Sequence, residues 1–514
     1  MQTDYDIIII GGGASGSGIA LDAASRGFKT LILEQNDFSS GTSSKSTKLL
    51  HGGVRYLEAA VKKLDKSQFD LVKEGLKERH RALKNAPHLS CPITLVTPIY
   101  RWWELPYMFI GLSLYDLIAG KRGLGRSKII SRKKVLQSYP HIKKEGLVGA
   151  VEYYDGSFND TRFNISILKT AQKFACECKN YHRVEKFIYE NGRVCGVEAR
   201  DILEDKILTF KAKTIINATG AFSDEVRNLD DKNAKRKLEL SSGIHIVLDK
   251  KYLPANKGLM IPKTKDGRVL FILPWMGKCL VGTTDEPSKI QVHPKVKQKD
   301  IEYILEHLEI YFDLKIDQSE ILSSWSGIRP LVASDSENTA SLVREHEIFS
   351  SPSGLISVIG GKWTTYRKMG EETLNFAIAQ NNLEHKKCKT KDMILDGGEE
   401  AKIDLKIDEN LKNYLLSMYG DKSEKVLKIS DKIERLQENY PQTNAELIYC
   451  IRKEFVKKPL DFLVRRTSLA LIDKKAALKI LDKTISIMKD ELKWNDEVAL
   501  KMKSEAKEIL EKDI

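Results

Sequence analysis

The chain's apolar pattern begins with an unbroken run, Ile7-Ile8-Ile9-Ile10, directly after Tyr5-Asp6. A run without polar alternation predicts a strand buried on both faces, as in a parallel sheet covered by helices. Gly11-Gly12-Gly13-Ala14-Ser15-Gly16 then reads as a tight turn, the Ala-rich stretch ending before Gly27 as a helix, and Thr30-Leu31-Ile32-Leu33-Glu34 as a second strand. The predicted unit is βαβ. Phe69, Val72, Leu76 and Leu83 recur at roughly helical spacing and predict a helix from Ser67 to Lys84, ended by Pro87. Residues 182–219 read as a small antiparallel meander, because Asn191-Gly192 between two β-rich runs is a strong hairpin signal and Thr214-Ile215-Ile216-Asn217-Ala218-Thr219 returns as a buried strand. More strands are expected over 243–350, with turns at Asp266-Gly267 and Gly277. Beyond residue 400 the pattern turns helical and mixes Lys with Glu, predicting a separate helical domain with solvated faces.

At 514 residues and 41% apolar content the chain can bury a large core, enough for two to three domains. Its start lacks the basic, apolar and small-residue regions of a signal peptide, so no export is expected. Seven scattered cysteines suit a reducing compartment, the cytoplasm, better than a disulfide framework. Cys176 and Cys178 have no second pair nearby, so no metal is expected. The net charge of +13 is unevenly placed: Thr97 to Ala150 holds ten basic side chains against three acidic ones, over half the excess. That segment opens with the aromatic stretch Trp102 to Tyr115, broken by Glu104 and Pro106, with Asp116 just beyond it. Its apolar run is far below the ~20 residues that a bilayer core demands.

Gly11, Gly13 and Gly16 form GxGxxG: the first permits the turn, the second admits a pyrophosphate, and the third lets helix and strand pack closely. The helix N-terminus, with Ala14 and Ser15, then faces the phosphates. Glu34, eighteen residues past Gly16 and followed by Gln35, is placed to accept hydrogen bonds from an adenosine ribose. The motif does not separate FAD from NAD. Later turns that close hydrophobic strands, Ala218-Thr219-Gly220 and Gly360-Gly361-Lys362, favour FAD, an extended ligand that needs scattered contacts. A second constellation runs from Gly41 to Leu57. Thr42, Ser43 and Ser44 offer hydroxyls to diphosphate and flavin edges, Lys48, Leu49 and Leu50 lead to His51, and Gly52-Gly53 leaves room for a bulky ring.

Gly41 to Leu57 resembles the segment that marks flavin-dependent glycerol-3-phosphate dehydrogenases, within the glycine/D-amino-acid-oxidase-like flavoproteins. Further similar segments follow in order: Lys84 to Leu89, Gly220 to Asp224, Asp266 to Arg268 leading to Pro274-Trp275, Val281 to Asp285, Trp325 to Leu331, Gly360 to Arg367, and Asp461 to Thr467. The resemblance implies an α/β fold: a Rossmann-like FAD-binding domain (1–95, 150–240 and 350–395) interleaved with a sheet-rich substrate domain (96–149 and 241–349), plus a C-terminal helical domain (400–514). It implies FAD as cofactor, with Val184, Trp363 and Thr364 added to the contacts above, and sn-glycerol 3-phosphate as substrate.

A dianionic phosphate is best held by a planar guanidinium and a second cation, so Arg55, Arg329 and Lys362 are the expected clamp, with Tyr56 and Thr365 as hydroxyl donors. These match the family's substrate-binding positions by resemblance. Lys362 opens an expected helix from Trp363 to Phe376 whose positive end faces the flavin. Oxidising an alcohol needs a base for the hydroxyl proton, and a neutral imidazole suits that role. His51 is the expected base and His245, in a strand, its rival and a substrate contact. Trp and Tyr beside the basic segment suit the headgroup level of an anionic membrane. The family's quinone reduction at the membrane implies a chain held peripherally at the inner face of the cytoplasmic membrane. The alternatives are an FAD-dependent oxidoreductase for a related small substrate and an oxidase using oxygen, the latter disfavoured because the related oxidases carry an internal insertion that this length does not accommodate. An NAD-linked enzyme and a nucleic-acid module are set aside, and a homodimer is left open.

Overall fold

The computed structural model describes residues 4–54, 57, 65–265, 267–333, 346–404, 406–512 and 514. The isoleucine run becomes the strand β1 (Tyr5–Ile10), lying parallel to β2 (Thr30–Glu34) on one side and to Lys206–Asn217 on the other. The sheet runs in the order His346–Ser350, Ile356–Gly360, Lys206–Asn217, β1, β2, Glu177–Asn180. Only His346–Ser350 is antiparallel to its neighbour on this path. Ile7, Ile9 and Ile32 pack against the helices α1 (Ala14–Ser25), Asp160–Gln172 and Tyr366–Gln380. Ile8, Ile10, Leu31 and Leu33 pack on Val184, Phe187 and Val197 of the meander. Alternate side chains thus serve two separate cores, which is why no polar residue interrupts the run.

The meander consists of His182–Glu190, Arg193–Asp201 and the first half of Lys206–Asn217, turning at Asn191-Gly192, where both residues have positive φ (50° and 75°). Its last strand leaves the meander and continues into the parallel sheet. The helix expected from 67 to 84 spans Lys66–Asn85 and is capped by Asp65, whose carboxylate accepts from the backbone N–H groups of Ser67 and Gln68.

A second, mixed sheet runs in the order Glu286–Pro287, Leu238–Leu248, Lys278–Gly282, Leu270–Trp275, Gly258–Ile261, Ser90–Ile99, Gly149–Phe158, Leu49–Leu50. Ser323–Val332 also pairs along Leu238–Leu248. One face packs on the helix Gln298–Tyr311, with Ile244 and Ile272 of the sheet in one apolar cluster with Ile304 and Leu308 of the helix. The other gathers Leu95, Val247, Trp275 and Trp325 with Leu411, Phe462 and Leu471 of the C-terminal helices. The expected α/β class, with an interleaved second sheet and a helical C-terminal region, is borne out.

The aromatic stretch folds as a helix, Glu104–Ala119. Pro106 sits in its first turn, where the missing N–H would have had no partner. The helix is apolar almost all round, so no helical stripe announces it. Trp102, Trp103, Tyr107, Ile110 and Leu117 stay exposed. Among the described residues no helix is long and apolar enough to cross a membrane.

The C-terminal core carries a buried carboxyl, Glu446, that accepts hydrogen bonds from the Tyr414 and Tyr419 hydroxyls at 2.8 Å each. Burial pushes its pKa up from 4.5 to about 7, against the lowering effect of those two donors. The folded state therefore holds a proton that the unfolded chain releases, and stability is fully present below pH 4.5 and lost as pH rises through 7. The loss is on the order of 3 kcal/mol. Urea melts of Glu446→Gln across that window should show the corresponding slope removed.

Candidate active site

β1 ends at Ile10 and the chain must turn at once to start α1. Gly11 does so at φ 106°, and a Cβ there would stand 2.6 Å from the Ala218 carbonyl oxygen. A Cβ on Gly16 would lie 1.8 Å from the Gly11 oxygen, so this glycine is the one that lets α1 close on the turn. Glu34, at the end of β2, accepts from the Gly12 and Asn36 backbone N–H groups at 2.8 and 2.9 Å. Burial raises its pKa in spite of these two donors.

The turn opens on a cleft of about 530 Å³. Of the expected cofactor residues, Gly11, Gly13, Ala14, Ser15, Glu34, Gln35, Thr42, Ser43, Val184, Ala218, Thr219, Gly220, Gly361, Lys362 and Trp363 line it. Asn36, Ser39, Ser40, Arg183, Glu185, Phe222 and Val292 also line it, beyond the expected set. Ser39-Ser40 extends the hydroxyl run before Gly41 and is legible as such; Val292, from a distant loop, carries no local signal.

The segment Gly41 to Lys48 threads between the two sheets. Thr42 donates to the Ile328 carbonyl at 2.5 Å, and Ser43 accepts from the Ala14 N–H at 2.9 Å. Trp363 donates its indole N–H to the Ser43 carbonyl at 2.9 Å. Thr47 Oγ1 meets His245 Nε2 at 3.0 Å. Lys48 is buried at φ 60°, its ammonium donating to Asp160 at 2.7 and 2.8 Å and to the Ser44 carbonyl at 2.8 Å. Ser44, Lys48 and Gly16 thus lie behind the cleft wall rather than on it. Leu49-Leu50 pairs with Gly156-Ser157, the Gly52 N–H donates to the Tyr115 hydroxyl at 2.7 Å, and Thr364 donates to the His51 carbonyl at 3.4 Å.

On the second sheet, register places Arg329 opposite Ser241 and Trp325 opposite His245. Arg329 donates to Asp285 Oδ1 at 3.1 Å and to Thr283 Oγ1 at 2.9 Å. Its neighbour Pro330 lines the cleft together with Lys362, whereas Arg329 itself does not, and Ile328 and Ile359 share one apolar cluster that packs the strand carrying Arg329 against the strand leading into Lys362. Arg55 and Tyr56 lie outside the described residues. His245 is buried and stacked on Trp325 at 5.4 Å, and its Nδ1 has no hydrogen-bond partner among the described residues. Burial, then the charges of Arg329 and Lys48, hold its pKa well below the ordinary histidine value, so the ring is neutral at neutral pH. Lys362 does not open an α-helix directly: Trp363–Thr365 is a tight 3-10 turn, closed by the Thr365 N–H on the Lys362 carbonyl at 3.1 Å, and the α-helix starts at Tyr366. Thr365 also turns its hydroxyl back to that carbonyl at 3.1 Å.

A glycine turn with no room for a Cβ, a helix N-terminus aimed into the cleft and a carboxylate at its far end fit an adenine dinucleotide. Residues 6–367 match the family model described as FAD dependent oxidoreductase, and residues 388–499 that of the C-terminal domain of alpha-glycerophosphate oxidase. Fold and cleft thus define an FAD-dependent oxidoreductase. Mitochondrial glycerol-3-phosphate dehydrogenase of Homo sapiens is 42% identical over 96% of this chain and 71% of its own length, and that of Macaca fascicularis 42% over 99% and 73%. The solved glycerol-3-phosphate dehydrogenase from Bacillus halodurans, complexed with FAD, superposes with a TM-score of 0.78 at 30% identity, over 98% of this chain and 94% of its own. This chain belongs to the glycerol-3-phosphate dehydrogenase family, and FAD is its cofactor. Glycine oxidase from Geobacillus kaustophilus, at 17% identity and TM-score 0.52 over 76% of this chain and 98% of its own, shares the fold.

Gly16→Ala offers a test of the turn, because the clash is with backbone rather than with a side chain that can move. The variant should bind FAD at least about tenfold more weakly, read as visible flavin absorbance retained after gel filtration.

Proposed function

We propose that the protein oxidises sn-glycerol 3-phosphate to dihydroxyacetone phosphate by hydride transfer from C2 to FAD N5, and delivers the electrons to a membrane quinone. The observation that carries the substrate assignment is Arg329, oriented by Asp285 and Thr283 on the strand whose Pro330 lines the cleft together with Lys362, and close enough to His245 to act on its charge. Arg329, Lys362 and Arg55 bind the phosphate, with Tyr56 as a hydroxyl donor and Thr365 as a second once its hydroxyl turns from the Lys362 carbonyl. The glycine turn, Glu34 and the Thr42-Ser43 hydroxyls hold FAD, which supplies the acceptor for the hydride. An imidazole takes the C2 hydroxyl proton. His51 is assigned that role, with His245, kept neutral by burial, as the competing base. The pH profile of His51→Gln with flavin retained distinguishes them: near-normal turnover moves the role to His245.

The membrane reading is supported by the exposed Trp102, Trp103, Tyr107, Ile110 and Leu117 and by the exposed basic side chains Lys121, Arg122, Arg126, Arg132 and Lys133 that follow. It places the protein peripherally on the inner, anionic face of the cytoplasmic membrane. Anaerobic flavin bleaching tests the chemistry: glycerol 3-phosphate should bleach and glycerol should not. Vigorous peroxide formation on admitting air would replace the quinone by oxygen.

A further inference from the structure

The loop that follows β2 does two things at once. Gln35, Asn36, Ser39 and Ser40 line the cofactor cleft, while Asp37 and Phe38 turn away from it and are fully buried. Phe38 packs edge-on against Phe455, at 5.0 Å between ring centroids, and fills the space in front of Gly12, where a Cβ would lie 2.3 Å from its ring. Asp37 is gripped from the C-terminal domain. Arg466 donates to its two oxygens at 2.7 and 2.8 Å, and Arg465 donates its Nε–H to the same carboxylate.

Both guanidiniums are themselves anchored. Arg466 donates twice more to the Glu454 carbonyl, at 3.0 and 2.7 Å, and Arg465 donates to Asp461 at 2.6 Å. Asp461 accepts in turn from the Lys457 and Lys458 N–H groups, at 2.8 Å each, and from the Tyr181 hydroxyl at 2.6 Å. Burial works against the Asp37 carboxylate, but Arg466 and Arg465 outweigh it and hold its pKa below the ordinary carboxylate range.

A buried ion network of this kind adds little stability compared with apolar packing of the same volume. Bidentate guanidinium geometry does fix orientation. Here the oriented object is a short loop whose other ties are single hydrogen bonds: the Asn36 N–H on Glu34 at 2.9 Å, the Ser39 N–H on the Gly12 carbonyl at 3.2 Å, the Ser40 N–H on the Asp37 carbonyl at 3.1 Å, the Asn36 carbonyl accepting from the Tyr181 N–H at 2.9 Å, and Asn180 on Asp37 at 3.2 Å.

We propose that Arg465 and Arg466 are positioning residues for the cofactor, holding the loop 35–40 in the shape that receives FAD, so that cofactor affinity is set from the C-terminal domain across the interface. The inference rests on FAD being the ligand of the cleft, and failure of the unaltered apoprotein to take up FAD would count against that assignment instead. The test is FAD affinity of the full-length apoprotein, followed by flavin fluorescence on reconstitution, beside urea melts of the same samples. Arg465→Gln should weaken FAD binding about tenfold. Arg465→Lys, which keeps a charge but not the fork, should lose about threefold.

Glu78→Gln is the control. It breaks an equally buried bridge, from Arg367, between the helices Lys66–Asn85 and Tyr366–Gln380, which involves no residue lining the cleft and none of the groups around Asp37. It should lower stability and change FAD affinity by less than about twofold. Wild-type affinity in Arg465→Gln, or affinity that follows stability equally in both variants, would overturn the proposal. Should Arg465→Gln not fold, Arg465→Lys decides alone, and unchanged affinity there overturns it as well.

Discussion

Replacing Arg329 by methionine should lower kcat/KM for glycerol 3-phosphate by about a thousandfold, roughly 4 kcal/mol of lost transition-state binding. The guanidinium does not need to be recruited: Asp285 and Thr283 already hold it in place, with Ser241 Oγ a further 3.4 Å neighbour. Gly243 makes the space, since a Cβ there would sit 2.5 Å from Arg329 Nη2. A preset fork binds a dianion without giving up rotamer freedom at the moment of binding. The loss should fall on the phosphorylated substrate alone, so residual turnover of glycerol should be the same in both enzymes. Asp285→Asn, which leaves the guanidinium in place but less firmly oriented, should cost no more than about tenfold. A methionine variant within about tenfold of wild type would reduce Arg329 to a brace for Asp285.

Asp160→Asn should destabilise the fold by about 3–5 kcal/mol in urea melts. Asp160 and Lys48 are each about 1% exposed, and the carboxylate also accepts from Ser46 Oγ at 2.7 Å and from the Thr161 N–H at 2.8 Å. Removing its charge strands an ammonium in the core. Lys48 lies 5.1 Å from the Trp275 ring centroid and 5.7 Å from that of Trp325, and these faces soften the cost without replacing the partner. Burial already pulls the Lys48 pKa down against the pull of Asp160. Lys48→Met combined with Asp160→Asn should recover much of the loss, because the pair vanishes together. A change below about 1 kcal/mol in the single variant would mean that the pair is not the buried anchor its geometry indicates.

The parts of this molecule that are local in sequence are the parts that can be read from it. β1, α1 and β2 follow from an apolar run, a glycine turn and an acid at fixed spacing, and the meander from one Asn-Gly step. The helix Glu104–Ala119 escapes because it is apolar on nearly every side, so periodicity has nothing to report. In the site, glycines announce backbone that a ligand approaches closely, whereas a hydroxyl or an ammonium has no such positional signature. Lys48 reads as a cofactor contact in the sequence, yet its charge is spent on Asp160, 112 residues away. Arg465 and Arg466 meet Asp37 across more than 400 residues, and only folding brings them together.

The strap from Gly41 to Lys48 has a mechanical consequence. Fastened to Ile328 and His245 on the second sheet and to Ala14 and Asp160 at the starts of two helices packed on the first, it rivets the two halves together. Swinging them apart like jaws would shear four attachments at once, so the strap sets the cleft at a nearly constant width.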